Sequence, residues 1–412
     1  MNITRRDFMK STALMTAAGI APQFLSQTAA ASLTSIKGFK DDRVLVVIQL
    51  AGGNDGLNTV VPYEDDLYHK ARPNLSLSDD RLIKLDDAVA VNNNLRGLAD
   101  LYNEGQLALI QGVGYPNPDR SHFRSTEIWH TASDADAFLG HGWIGRYFDN
   151  NCGGTAQPQV GLALDKERPQ AFSGEKGFGV STTNPMRFGW NPGQGAATEE
   201  VFAALNQAGT VQNNGTLDFL RHTTAQAMAS SEEVRGAAGK GMVEEIVKKR
   251  GVAGNALATQ LSAVAGLIRG GLNTRIFYVS VSGYDTHAGQ AVAHDRLLGQ
   301  FSEAMTGFQQ QLKEDGLSER VTTMVFSEFG RRVEENASGG TDHGTAAPMF
   351  LVGDSVKAGL YGTAPRLNDL DQGDLKYGTD FRQVYASVLE QWFETDSKPV
   401  LNGSFDTLPL LG

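Results

Sequence analysis

The sequence predicts an α/β protein built on a mostly parallel central sheet, and three observations carry that prediction. Two short, apolar, β-branched runs, Arg275–Ser282 and Val321–Phe326, suit buried strands of a parallel sheet. Between them Leu297, Leu298, Phe301, Met305, Phe308 and Leu312 recur at the spacing of one buried helical face, which completes a βαβ unit. Each run then opens into a loop crowded with metal-type side chains, Gly283-Tyr-Asp-Thr-His287 after the first and Ser327-Glu-Phe-Gly-Arg331 after the second. Open α/β sheets hold their ligands at the carboxyl ends of their strands.

The chain begins Thr4-Arg-Arg-Asp-Phe-Met-Lys10, followed by a mildly apolar stretch and a small-residue cleavage candidate at Ala29–Ala31. This resembles a twin-arginine export signal over residues 1–31, so the expected partner is the twin-arginine translocation machinery and the expected location periplasmic or secreted. An amphipathic N-terminal helix is the plainer alternative. The remaining chain, from about residue 40 to 412, is expected to form one α/β domain with an insertion or cap at about 155–255. Arg43–Leu50 reads as a buried strand, and Ala51-Gly-Gly-Asn-Asp-Gly-Leu-Asn58 as a glycine-rich turn after it. That turn is not a P-loop, because no Gly-Lys-Ser/Thr follows. Asn54 and Asp55 could face a metal there, or merely brace the turn through Asx hydrogen bonds.

A helix over Asn93–Asn103 and a strand over Leu107–Val113 come next. They lead into Tyr115-Pro-Asn-Pro-Asp-Arg-Ser-His-Phe-Arg124, with helical spacing from His122 to His130. Ser121 thus falls at a helix start. It could be only an N-cap, but a helix N-terminus also suits a nucleophile that attacks a phosphoryl or sulfuryl group. Asp119, Arg120, His122 and Arg124 crowd the same turn, more polar chemistry than a cap requires. Gly142–Phe148 suggests a short helix and Pro158–Leu164 a strand, whereas residues 174–196 read as a long surface excursion. Helices are expected at Thr198–Gln207, Leu217–Ser230 and Gly254–Arg269. A last strand, Ala347–Val352, follows the loop Gly339-Gly-Thr-Asp-His-Gly344, and Phe381 to Trp392 carries another one-sided helix.

Of 412 residues, 41% are hydrophobic and 20% charged, enough for a sizeable core. The formal charge is −11; without residues 1–31, which hold Arg5, Arg6, Lys10 and Asp7, it is −13. Such a surface disfavours nucleic acid and anionic membranes as partners. An anionic substrate stays compatible, since a bound divalent metal reverses the local sign. Beyond the leader no stretch approaches ~20 uninterrupted apolar residues, so no stable membrane insertion is expected. The single cysteine, Cys152, makes no intrachain disulfide and reads as a small buried or loop residue, a catalytic thiol being the less economical reading.

Asp285 and His287, Glu328, and Asp342 with His343 make a mixed nitrogen and oxygen donor set. That set suits zinc first and manganese next, more than calcium, which prefers oxygen alone. Capping and ordinary hydrogen bonding are the alternative for the same loops.

Together, Gly52-Gly-Asn-Asp-Gly56, Arg120-Ser-His-Phe-Arg124, Gly283-Tyr-Asp-Thr-His287, Phe326-Ser-Glu-Phe-Gly-Arg331 and Gly340-Thr-Asp-His-Gly344 resemble the family called domain of unknown function 1501, over essentially the whole mature chain. That family resembles the alkaline phosphatase and sulfatase superfamily. The resemblance implies a doubly wound sheet that carries one or two metals, with zinc, manganese, calcium or magnesium as candidates. It implies Ser121 as nucleophile, with Asp285, His287, Glu328 and His343 as metal ligands. The superfamily's aspartate after the first strand would fall near Leu50 or Ala51, so Asn54 or Asp55 must replace it, and Ser327-Glu328 stands where Asp-His often occurs. The Cys/Ser-x-Pro-x-Arg signature of formylglycine sulfatases is absent. The expectation is an exported, metal-dependent hydrolase of small-molecule or glycan phosphate or sulfate esters, in which Arg120 or Arg124 clamps the oxyanion. The alternative is a non-catalytic surface binding or assembly protein that keeps the fold.

Overall fold

A computed structural model describes residues 41–152, 158–176, 179–189 and 229–412. The expected leader over 1–31, the helix at Thr198–Gln207 and most of that at Leu217–Ser230 lie outside these residues.

Nine strands form one sheet. They are β1 (Val44–Ala51), β2 (Leu107–Gly114), β3 (Gly161–Ala163), β4 (Val180–Ser181), β5 (Ile276–Ser282), β6 (Val321–Phe326), β7 (Ala347–Val352), β8 (Gly359–Gly362) and β9 (Thr379–Asp380). The order is β8-β2-β7-β6-β1-β5-β3-β4, with β9 also against β2. The sheet is mostly parallel: β1 with β5 and β6, β3 with β4 and β5, and β2 with β8 and β9. Only β7 runs against its neighbours β2 and β6. The α/β fold expected of the sequence is therefore present, with one strand reversed.

Both faces of the sheet are covered. Val44, Val46, Ile48 and Leu50 of β1 point into one core and Leu45 and Val47 into the other, the period-two alternation of a strand buried on two sides. The first core takes the apolar faces of α1 (Arg96–Asn103), α4 (Ala256–Arg269) and α5 (Gln290–Glu314). The second takes those of α2 (His122–Thr131), α3 (Trp143–Asn151) and α6 (Phe381–Ser387). Caps stop and start these helices where the sequence supplies them. Asp380 and Gln383 form a capping box on α6, and the Asn255 side chain accepts from the Ala258 amide at α4. Beyond α6 the face from Phe381 to Trp392 continues as a π-helical segment, Val388–Trp392.

The described residues of 155–255 join the central sheet and its first core. β3 and β4 extend the central sheet beside β5, and Val234, Ala237, Ala238 and Val243 are buried in the first core. The short apolar run in β3 decides this, because Leu162 and Ala163 are wholly buried against strands and helices. Cys152 is buried at the end of α3, and desolvation pushes its thiol up to about 12, which keeps it protonated and unreactive.

Candidate metal centre

The ends of three parallel strands lie level at one edge of the sheet. Ala51 of β1 is opposite Ser282 of β5, and Gln49 of β1 is opposite Phe326 of β6. Past this edge run the three loops 52–56, 283–287 and 327–331. Gly52 takes φ +121°, and a Cβ there would lie 2.4 Å from the Asp285 amide nitrogen. The glycines of this turn therefore let loop 52–56 pack on loop 283–287; the close approach is to backbone, not to a ligand. β7 enters antiparallel, so its amino end reaches the same edge. Arg331 and His343 make an isolated antiparallel bridge there, and the Arg332 amide donates to the Asp342 carbonyl at 3.0 Å. α2 supplies the fifth element, with Ser121 at its N-cap.

Four side chains meet over these loops. The Nε2 atoms of His287 and His343 are 3.0 Å apart, and each is 3.0–3.1 Å from Asp285 Oδ1. His122 joins from α2, its Nε2 at 3.5 Å from Asp285 Oδ2. The donor atoms of His122, Asp285 and His343 all lie within 4.8 Å of one another. Two overlapping triads thus share Asp285 and His343.

The outer nitrogens explain how the rings are held. Nδ1 of His343 faces the Arg120 carbonyl at 2.8 Å, that of His287 faces Asp342 Oδ1 at 3.1 Å, and that of His122 faces Glu328 Oε1 at 2.9 Å. Carbonyls and carboxylates only accept, so each Nδ1 is placed to donate, and a ring in its neutral form then presents the lone pair of Nε2 to the cluster. Two such lone pairs 3.0 Å apart repel unless a cation sits between them. Around zinc, with ligands at ~2.0–2.1 Å, neighbouring tetrahedral donors would be ~3.3 Å apart, close to the spacing seen. His122 Nε2 is also buried without a hydrogen-bond partner among the described residues. The donor set fits a divalent metal such as zinc.

Arg331 fixes the carboxylate. Wholly buried, it donates to Asp285 Oδ1 at 2.7 Å, to the Tyr284 carbonyl at 3.0 Å and to the Thr341 carbonyl at 2.8 Å. It also bonds the carbonyls of Gly52 and Gly53, which ties three loops together. Burial would raise the Asp285 pKa, but the hydrogen bond from Arg331 and the Arg331 charge pull it down to about 2, so the carboxylate stays ionised. The hydrogen bond to Glu328 raises His122 against the opposing pull of burial. Phe329 packs beneath the rings of His122 and His343, with centroids at 4.9 and 4.7 Å.

Of the residues expected at a metal, Asp285, His287 and His343 come together. Glu328 lies behind His122 and accepts from its Nδ1 and from the Gly52 amide, so it orients a ring instead of meeting the donor cluster. Asn54 and Asp55 point elsewhere. Asn54 Oδ1 faces His294 Nε2 at 2.9 Å, and its amide group donates to Thr59. Asp55 is buried against Arg72 at 2.7 Å and accepts from Gln290, whose own carbonyl oxygen takes hydrogen bonds from Thr286 and Thr341. The pair braces the metal loops from below, because the glycine turn directs both side chains into the protein. Ser121 is exposed, its hydroxyl makes no capping bond, and its two neighbours both touch the cluster. Arg120 reaches away to Asp374. Arg124 stacks on Phe138 at 3.8 Å and donates to the carbonyls of Ala135 and Ala137, so neither arginine faces the donors as a clamp. His122 and Arg331 were missed as site residues. The signal for His122 was its place beside Ser121 in the crowded turn; nothing in the sequence shows that Arg331 bends back to Asp285.

The family described as protein of unknown function (DUF1501) matches residues 42–403. No curated protein matches the sequence. The chain is similar in structure to a protein in the alkaline phosphatase superfamily from Vibrio parahaemolyticus, at 11% identity and a TM-score of 0.37 over 93% of this chain and 78% of that one. It is similar to the PsFucS1 sulfatase from Pseudoalteromonas sp., at 11% identity and a TM-score of 0.38 over 95% and 75%. It is also similar to the C-terminal periplasmic domain of EcEptC from Escherichia coli, in complex with Zn, at 10% identity and a TM-score of 0.35 over 78% and 77%.

Proposed function

The chain belongs to the DUF1501 family, and from that premise we propose that it is an exported, metal-dependent hydrolase of phosphate or sulfate esters. The observation that supports this best is the trio of imidazoles whose Nδ1 atoms are all committed to acceptors while their Nε2 atoms converge with Asp285. His122, Asp285, His287 and His343 would hold the metal, zinc first. When bound, such an ion lowers the pKa of a neighbouring hydroxyl and offsets charge on a transferring group.

The chain's own residues supply the rest. Ser121 sits where the helix dipole of α2 favours negative charge, and its hydroxyl is free of a capping role. Its Oγ attacks phosphorus or sulfur, the ester oxygen departs with a proton, and water then cleaves the seryl ester to free the serine and inorganic phosphate or sulfate. Arg331 holds Asp285 charged and in place throughout. Export by residues 1–31 belongs to the same proposal. Among the described residues no helix is long and apolar enough to cross a membrane.

The test is metal content with turnover on 4-nitrophenyl phosphate and sulfate. Wild type should carry a stoichiometric transition metal and hydrolyse at least one ester. Ser121→Ala should keep the metal and lose hydrolysis by 10³-fold or more, in keeping with removal of a covalent nucleophile. A metal-loaded wild type that hydrolyses neither ester would favour the binding-protein reading, to which the turned-away Arg120 and Arg124 already lend weight.

A further inference from the structure

Behind the imidazoles, two arginines converge on one buried carboxylate. Arg120 Nη2 contacts Asp374 Oδ2, and Arg332 Nε lies 3.6 Å from Asp374 Oδ1. The Asp374 side chain is 1% exposed, whereas those of Arg120 and Arg332 are 39% and 35% exposed. Neither Asp374 oxygen receives a well-directed hydrogen bond, so the carboxylate is balanced by charge more than by geometry. A tether would be better made by one arginine in bidentate grip. Here each guanidinium offers only one edge to the acid. Beyond that contact, Arg332 donates to the Gln372 carbonyl at 3.2 Å, and the Arg120 side chain has no other partner among the described residues. A guanidinium has five N–H donors, so most of them face solvent.

The place of this trio matters as much as its charge. The Arg120 carbonyl takes the outer nitrogen of His343, and the Arg332 amide holds the carbonyl of Asp342, whose carboxylate takes the outer nitrogen of His287. The backbones of both arginines therefore adjoin the outer nitrogens of the rings, while their side chains turn to Asp374 and not to the donor atoms. There they can meet a charge carried on a part of the substrate other than the group under attack. Arg120, Arg332 and Asp374 themselves sum to one positive charge, with Asp371 opposite Asp374 on the adjoining strand, on a chain whose formal charge is −11.

We propose that Arg120 and Arg332, bridged by Asp374, form a subsite for a second oxyanion on the substrate, which makes the substrate class a multiply sulfated or phosphorylated ester. This rests on the ester-hydrolase reading above. In the empty subsite Asp374 spaces the two guanidinium groups; an incoming oxyanion takes their outward donors.

The experiment is titration calorimetry on the full, metal-loaded protein with one disaccharide bearing either one or two sulfates. Wild type should prefer the disulfated form by about tenfold, as expected of one charge-assisted contact. Arg332→Gln and Arg120→Gln should erase that preference, and Asp374→Asn should enlarge it by freeing both arginines. A purely structural tether predicts the opposite for Asp374→Asn, lower thermal stability with no gain in binding. Equal binding of the two sugars by wild type, or no binding of either, overturns the proposal. So does a preference that survives Arg332→Gln, which keeps the test intact if Asp374→Asn fails to fold. A clear preference without hydrolysis of any ester would leave the subsite standing and remove the hydrolase reading instead.

Discussion

His122, His287 and His343 each commit the Nδ1 proton to an oxygen acceptor, and that commitment decides what Nε2 can do. A surface or core histidine has no need of such an arrangement three times over at one point. The contrast is His130, which is buried with Nε2 at 2.8 Å from the Tyr278 hydroxyl and whose pKa is lowered by burial alone. His122→Ala should therefore weaken zinc binding by more than the roughly 10–100-fold that follows loss of an orienting partner, whereas Glu328→Gln should fall within that range. Competition against a chromophoric chelator measures both, and equal affinities for the two variants would place Glu328 among the ligands after all. For His130 the effect is on stability. Burial holds its pKa down to about 4, against ~6.5 in the unfolded chain. Between those values the unfolded chain binds a proton that the folded protein refuses. Its contribution is thus complete above pH ~6.5 and is lost as pH falls toward 4, with a slope approaching ~1.4 kcal/mol per pH unit. His130→Gln should flatten this limb of the urea-unfolding profile; an unchanged slope would show that other groups govern it.

At the level of elements, the site depends on loops that only glycine allows to touch. Gly52→Ala forces a Cβ to 2.4 Å from the Asp285 amide at a φ of +121°, which should cost about 3 kcal/mol and displace Asp285. Urea unfolding and metal content should fall together in this variant; lower stability with full metal content would show that loop 283–287 yields without moving its carboxylate. The five long strands were legible because their apolar runs are short and bounded by glycines and polar clusters. Strand direction was not. An antiparallel β7 and a parallel one carry the same run, Ala347–Val352, and only its partners β2 and β6 reveal which it is. The reversal also changes the reason the site assembles, since His343 stands before its strand while Asp285, His287 and Glu328 stand after theirs. The glycine turn after β1 hid its geometry in another way. Asn54 and Asp55 have the right chemistry for a ligand, yet a distant partner, Arg72, decides where the acid points. Long-range pairs of that kind leave no trace in local spacing, and the same is true of Arg331 and Asp285, 46 positions apart.

For the whole molecule, neither hydrophobic core depends on the metal donors. Between them they line the two faces of the sheet and involve α1 to α6, while the donors sit in loops above its edge. Removal of the metal should lower thermal stability, by ~4 kcal/mol when the free ion had been at a thousand times its dissociation constant, yet leave the far-ultraviolet circular dichroism at 25 °C unchanged. Collapse of that spectrum on chelation would show that the metal holds the fold itself.

The position of β7 has a temporal consequence. Among the described residues, β2 and its neighbours β8 and β9 meet the rest of the sheet only through β7, which separates them from β6. One part of the sheet, through α2, brings His122; the other brings Asp285 and His287; the strand that joins them brings His343. No early intermediate in which these two sub-sheets are still apart can present a complete set of donors. On the metal-hydrolase proposal, capture of the ion would follow closure of the sheet, and a chain that holds it would already have joined its two halves.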